Sequence, residues 1–196
     1  MELMKSSIEA IIQNIHQAEE FLTEDSINEF MEIILSSNNI FVTGAGRSGL
    51  AAKAFAMRLM HLGLSSYVVG ETISPAIYEG DCILAISGSG ETNTVVSAAR
   101  ISKNRGAKVL ALTSFPQSTL GELSDAIIVV KGRTKVEADD ENYLKRQIKG
   151  NYTSLTPLGT AFELTSLVFL DGMVSELMNK MGQTENDLKS RHAVLE

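Results

Sequence analysis

Residues 42–55 read VTGAGRSGLAAKAF, and Gly44-Ala45-Gly46-Arg47-Ser48-Gly49 inside them is a literal G-x-G-x-x-G. The loop follows an apolar run, Asn39-Ile40-Phe41-Val42, and opens an alanine-rich segment of helical character. A strand, a glycine turn and a helix in that order begin a βαβ unit, and the unpaired N–H groups of such a helix start attract an anion. Alone, the motif suits a dinucleotide or another phosphate equally; the surrounding pattern has to choose.

From residue 39 onward, apolar runs at 39–43, 66–70, 82–86, 107–112 and 126–130 alternate with helical segments at about 47–62, 92–104 and 118–123. Glycine-bounded apolar runs alternating with helices indicate parallel strands covered on both faces. The expected fold is an α/β, doubly wound, five-stranded parallel sheet, with right-handed crossovers giving the flavodoxin-like order 2-1-3-4-5. Two amphipathic helices precede it: Ile8, Ile11, Ile12, Ile15 and Leu22 recur at helical spacing over 4–22, and Ile27, Phe30, Met31 and Ile34 over 25–36. Residues 131–155 are charged and aperiodic, a long loop of the kind that serves as a lid or interface, with room for a short helix at 138–147. Thr156 suits an N-cap and Pro157 a first helical position, opening a broadly apolar helix over 156–181 that Gly182 closes. A short helix at 184–190 and a tail follow. The chain thus reads as one domain, 1–196: N-terminal helices 1–38, α/β core 39–130, charged loop 131–155, and C-terminal helices and tail 156–196.

The 196 residues are 44% apolar and 21% charged, with a net charge of −7, a globular composition long enough to enclose a core. Nucleic acid and anionic membrane are excluded as main partners, since both require a basic surface. The single cysteine, Cys82, cannot form an internal disulfide and heads an apolar run, so it reads as a small buried hydrophobe. The start lacks the apolar core of a signal peptide, and no apolar run reaches membrane-spanning length. A soluble, cytoplasmic protein is expected.

A second loop, Ser87-Gly88-Ser89-Gly90-Glu91-Thr92, follows the third strand. In a 2-1-3-4-5 sheet the first and third strands are neighbours whose crossovers run to opposite faces, so both loops open on the topological switch point where such sheets bind ligands. Ser87, Ser89 and Thr92 offer hydroxyls, Gly88 and Gly90 let backbone N–H groups approach closely, and the helix that follows presents its positive end. Together they form a cradle for a phosphate monoester. Glu71, ending the second strand, sits where a dinucleotide fold keeps its ribose-binding acid. However, phosphate-binding groups already fill the neighbouring position, and the chain has no length for a separate substrate domain. A phosphorylated sugar is therefore preferred over a nicotinamide cofactor, and Glu71 is assigned to sugar hydroxyls.

Ile86-Ser87-Gly88-Ser89-Gly90-Glu91-Thr92 resembles the phosphosugar signature of SIS (sugar isomerase) domains. Further stretches are similar to one branch, the 6-phospho-3-hexuloisomerases: Gly46-Arg47-Ser48-Gly49, residues 56–63 (AMRLMHLG), Val69-Gly70-Glu71-Thr72, residues 157–163 (PLGTAFE) and Arg191-His192. The resemblance covers nearly the whole chain. It implies interconversion of D-arabino-hex-3-ulose 6-phosphate and fructose 6-phosphate, without metal or organic cofactor.

Moving a carbonyl from carbon 3 to carbon 2 requires a base to take the proton from carbon 2, giving an enediol(ate), and to return one to carbon 3. Glu163, flanked by Phe162, Leu167 and Leu170, is the expected base, because desolvation raises a carboxyl pKa toward the working range; the resemblance implies the same role. His192, on a tail able to reach across a subunit interface, is the expected partner acid. Arg47 and Ser48 belong to the crevice, Arg47 to clamp phosphate or steady enediolate charge. Glu91 is assigned to a helix N-terminus rather than to catalysis. His61, about 18 Å along its helix from the first loop, is assigned to the helix end or an interface. No His, Cys and carboxylate cluster has metal-site spacing. A homo-oligomer, a tetramer built as a dimer of dimers, is expected to use the greasy last helix and the N-terminal helices. The alternatives are an isomerase of arabinose 5-phosphate or sedoheptulose 7-phosphate, and a phosphosugar sensor without catalysis.

Overall fold

The computed structural model describes residues 1–132, 160–192 and 194. The expectations for the loop 133–155, the helix at 138–147, Thr156, Pro157 and Leu158 lie outside the described residues.

Two helices come first, α1 (Glu2–Glu19) and α2 (Glu24–Ser36). The Thr23 side chain caps α2 by accepting the Ser26 N–H. The core then alternates as expected: β1 (Ile40–Gly44), α3 (Arg47–His61), β2 (Ser66–Val68), β3 (Cys82–Ile86), α4 (Asn93–Asn104), β4 (Lys108–Thr113), α5 (Thr119–Leu123) and β5 (Ala126–Val129). Beyond it lie α6 (Thr160–Met181) and α7 (Glu185–Ser190). Gly182 closes α6 in the left-handed conformation, at φ 63°.

The sheet runs β2-β1-β3-β4-β5 with every pair parallel, the order expected from the crossover rule. β2 is shorter than the apolar run 66–70 suggests. Val69 N–H still reaches the Val42 carbonyl at 3.0 Å, but Gly70 turns at φ 94° and takes the chain off the sheet. Glu71 is therefore in the following turn, not on the strand.

Alternation along each strand divides the apolar side chains between two layers. Val42, Leu84, Ile86, Leu110 and Leu112 pack with Phe30 of α2, Phe55 and Leu59 of α3, and Phe162 and Leu170 of α6. Phe41, Ile83, Ala85, Val109 and Ala111 pack with Val95 and Ala99 of α4 and Leu120 of α5. All five residues of β3 are buried, so truncating Leu84 to Ala would cost about 2–5 kcal/mol. Burial also pushes the Cys82 thiol pKa up to about 12, which leaves it inert.

The β2–β3 connection carries no helix. A groove of about 580 Å³ lies between that connection and α4, lined by Phe41, Ile83, Ile77 and Ile101. Among the described residues, no helix is long and apolar enough to cross a membrane.

Candidate active site

Gly44 and Ile86 are register partners on β1 and β3, so the two glycine loops leave neighbouring strands at the same level. The helices that follow, α3 and α4, pack on opposite faces, which opens the crevice between them.

The first loop is held by close backbone approach. A Cβ on Gly44 would stand 2.7 Å from the Ser48 carbonyl carbon, and one on Gly49 would stand 2.7 Å from the Gly44 oxygen. Gly46 turns at φ 57°, ψ −127°, a conformation that side chains disfavour. The turn buries Ser48 and leaves Arg47 half exposed. Arg47 Nε donates to Glu163 Oε2 at 3.1 Å. Glu163 lies in the first described turn of α6 with only 17% of its side chain exposed. Two contacts set that turn. Gly132 lies flat on the Phe162 backbone, where a Cβ would come within 2.6 Å, and Asn14 of α1 donates to Thr165 Oγ1 at 2.9 Å. The expected base is thus partnered by a guanidinium as well as by its apolar neighbours. The pair spans 116 positions of sequence, and no local pattern announces it.

The second loop folds on itself. The Ser87 and Thr92 hydroxyls share a hydrogen bond at 2.9 Å, and Gly90 N–H donates to Ser87 Oγ at 3.1 Å. Thr92 is the N-cap residue of α4; its carbonyl accepts the Val96 N–H at 2.9 Å, but its side chain makes no capping bond to the first turn. Ser89 Oγ accepts the Glu91 N–H at 3.2 Å, leaving its proton to donate outward. The carbonyls of Gly88 and Gly90 accept from Ser114 and Leu120 N–H, at 3.1 and 3.0 Å, and so turn away from the crevice. With those two carbonyls taken up by the β4–α5 connection, the loop sets fewer acceptors against an anion.

Glu71 is exposed and accepts from Lys53 Nζ at 2.6 Å; that hydrogen bond and charge hold its carboxyl below the usual range. Glu91 serves a helix N-terminus, as its sequence position suggests, but that of α5: it accepts from Thr119 N–H at 2.7 Å and Thr119 Oγ1 at 2.8 Å, which lowers its pKa. Sequence reading missed Thr119, whose only local signal is a helix start after Pro116.

His192 is not beside Glu163 within one chain. Its ring stacks on His61, with centroids 4.8 Å apart, at the far end of the 15-residue α3, about 21 Å from Arg47. Arg191 fastens the tail there by donating to the His61 carbonyl at 3.0 Å and to Gln183 Oε1 at 3.1 Å. Burial, then the charges of His192 and Arg58, lower the His61 pKa. Among the described residues, no group of three or more His, Cys, Asp or Glu could hold a metal ion.

Residues 33–149 match the SIS domain model. A 3-hexulose-6-phosphate isomerase of Bacillus subtilis is 39% identical over 95% of this chain and 95% of its own length. One solved structure, of a hypothetical protein, superposes with a TM-score of 0.87 at 42% identity, covering 100% of this chain and 98% of that one. A Methanococcus jannaschii protein, whose crystal structure was taken to infer a molecular function of 3-hexulose-6-phosphate isomerase, superposes with a TM-score of 0.80 at 32% identity over 97% of this chain and 99% of its own. With loop, sheet order and relatives in agreement, the chain belongs to the SIS domain family.

Proposed function

We propose that this chain interconverts D-arabino-hex-3-ulose 6-phosphate and fructose 6-phosphate through an enediol(ate). One observation carries the reading: a loop of hydroxyl and N–H groups leaves β3 level with the β1 loop, whose following residue Arg47 holds the largely buried Glu163 carboxylate. The names of the Bacillus subtilis and Methanocaldococcus jannaschii relatives, both 3-hexulose-6-phosphate isomerases, support it.

The phosphate rests on Ser87, Ser89, Thr92 and the loop and α4 amides, with Gly88 and Gly90 admitting it closely. That anchors the sugar at a non-reacting end. Glu163 takes the proton from carbon 2 and returns it to carbon 3. Arg47 stabilises the negative charge that develops on the enediolate oxygens, and Ser48 orders the turn that aims it. Glu71, with Lys53 on it, takes sugar hydroxyls. His192 moves the proton between oxygens 2 and 3. Since it lies at the opposite end of α3 from Glu163, it serves the site of a neighbouring copy, and the working unit is a homo-oligomer, a dimer or a tetramer made of dimers. Leu3, Met4, Ile8 and Ile12, exposed along α1, and Val168 on α6 supply apolar contact surface for it.

The test is a coupled assay that follows fructose 6-phosphate formation by wild type and Glu163→Gln. The variant should lose at least about 10²-fold in kcat with little change in KM. Turnover at the wild-type rate would remove Glu163 from the mechanism.

A further inference from the structure

The phosphate loop contains two glycines in four residues and would be loose unless something behind it set its shape. That support comes from the β4–α5 connection. The Gly88 carbonyl is drawn back by Ser114 N–H and by the Thr113 hydroxyl at 3.4 Å, and the Gly90 carbonyl by Leu120 N–H. Gly90 turns at φ 68° directly over Ser118, so that a Cβ there would land on the Ser118 hydroxyl. Ser118 is itself fixed, donating to the Phe115 carbonyl at 2.6 Å and accepting from Gly121 N–H at 3.3 Å.

Glu91 completes this layer. Its carboxylate is one residue from Gly90 and Thr92, and a free carboxylate there would repel a bound phosphate. Instead it is turned onto α5, taking both the N–H and the hydroxyl of Thr119.

We infer that Thr119 is a positioning residue for phosphate affinity: it holds the Glu91 carboxylate away from the anion and so keeps the shape of the Ser87–Thr92 loop. The inference rests on the proposed phosphate role of that loop. It assigns Thr119 no contact with substrate. Its effect therefore belongs in the binding of the phosphate end and not in the chemical step.

Thr119→Val removes the hydroxyl and keeps the shape and the N–H. It should raise KM, and the dissociation constant for inorganic phosphate measured by calorimetry, by about tenfold, with kcat within about twofold of wild type. Thr119→Ser should return both constants close to wild type. In the double variant Glu91→Gln/Thr119→Val, part of the lost affinity should come back, because the loosened side chain no longer carries a charge. Thr119→Ala, which also deletes the hydroxyl, gives the same reading should the valine variant fail to fold. If Thr119→Val leaves both constants unchanged while Ser89→Ala raises them, the positioning role is wrong and the phosphate loop stands. If neither variant moves either constant, the phosphate loop is itself misassigned. A fall in kcat and Tm with unchanged KM would also overturn the inference, since a merely structural role predicts that pattern.

Discussion

The proposed phosphate loop and the proposed acid–base groups are built to opposite plans. Residues 87–92 form a complete unit inside one chain, with hydroxyls bonded to each other, carbonyls drawn back and Glu91 fastened to α5. Glu163 and His192 are instead held at the two ends of α3, one on Arg47 and the other on His61. Six consecutive residues at a helix start suffice to bind an anion, because backbone geometry supplies most of the donors. Proton transfer along a sugar needs side chains on both sides of it, and one small sheet offers a single wall. In the proposed mechanism the anchoring half of the site is therefore local, and the chemical half depends on distant segments and on a second copy.

The sharpest way to break this contrast is to knock out each acid–base group separately. Glu163→Gln and His192→Ala should each reduce kcat, by about 10²-fold or more for the first and about tenfold or more for the second. Coexpressed, the two variants should form mixed dimers in which, on the proposed mechanism, one site draws an intact Glu163 from one copy and an intact His192 from the other. About a quarter of all sites should then recover. Activity no greater than the average of the two variants would place both groups within one chain's own site, or remove His192 from the chemistry.

Smaller effects belong to the anchoring half. Gly90→Ala forces a side chain into a left-handed turn and against Ser118, and KM should rise by about tenfold or more as the loop is displaced. Ser89→Ala removes one outward donor without altering the turn, so about a fivefold rise in KM is expected, with kcat nearly unchanged. A change confined to kcat in either variant would mean that the loop touches the reacting end of the sugar.

The same division explains what could be read in advance. The strand order, the helix sequence and both glycine loops follow from short-range pattern: apolar runs with glycine at their ends, and a serine, threonine or arginine at a helix start. Glu71 was misjudged by three residues because nothing in Val68-Val69-Gly70 says which residue leaves the sheet; Gly70 decides it by turning at φ 94°. Three further contacts were invisible for a different reason. Arg47 meets Glu163 across 116 positions, Glu91 meets Thr119 across 28, and His61 meets His192 after α6 has run alongside α3 in the same direction. Such contacts depend on how layers pack, which a hydrophobic period does not encode.

The smallest expected effect tests whether the far end of α3 titrates as its environment dictates. His61 is buried, stacked on His192, near Arg58, with Arg191 bonded to its carbonyl. Burial first, then the two neighbouring charges, hold its pKa below the ordinary 6.5. The unfolded chain takes up a proton at His61 near pH 6.5, while the folded chain does so only at a lower pH. Its contribution to stability is therefore complete above pH 6.5 and is lost as pH falls from there through the depressed value. Glu71, Glu91 and Asp187 are all held below their ordinary 4.5, 4.5 and 3.8, so they stay ionised across this window and add no slope. Between about pH 7.5 and pH 5.5 the wild-type Tm should fall more than that of His61→Gln. The slope, not the absolute Tm, is the readout, because the substitution also costs packing at every pH. Equal slopes would mean that the stacked pair accepts a proton as readily folded as unfolded, and the two ends of α3 would then differ in composition but not in their electrostatics.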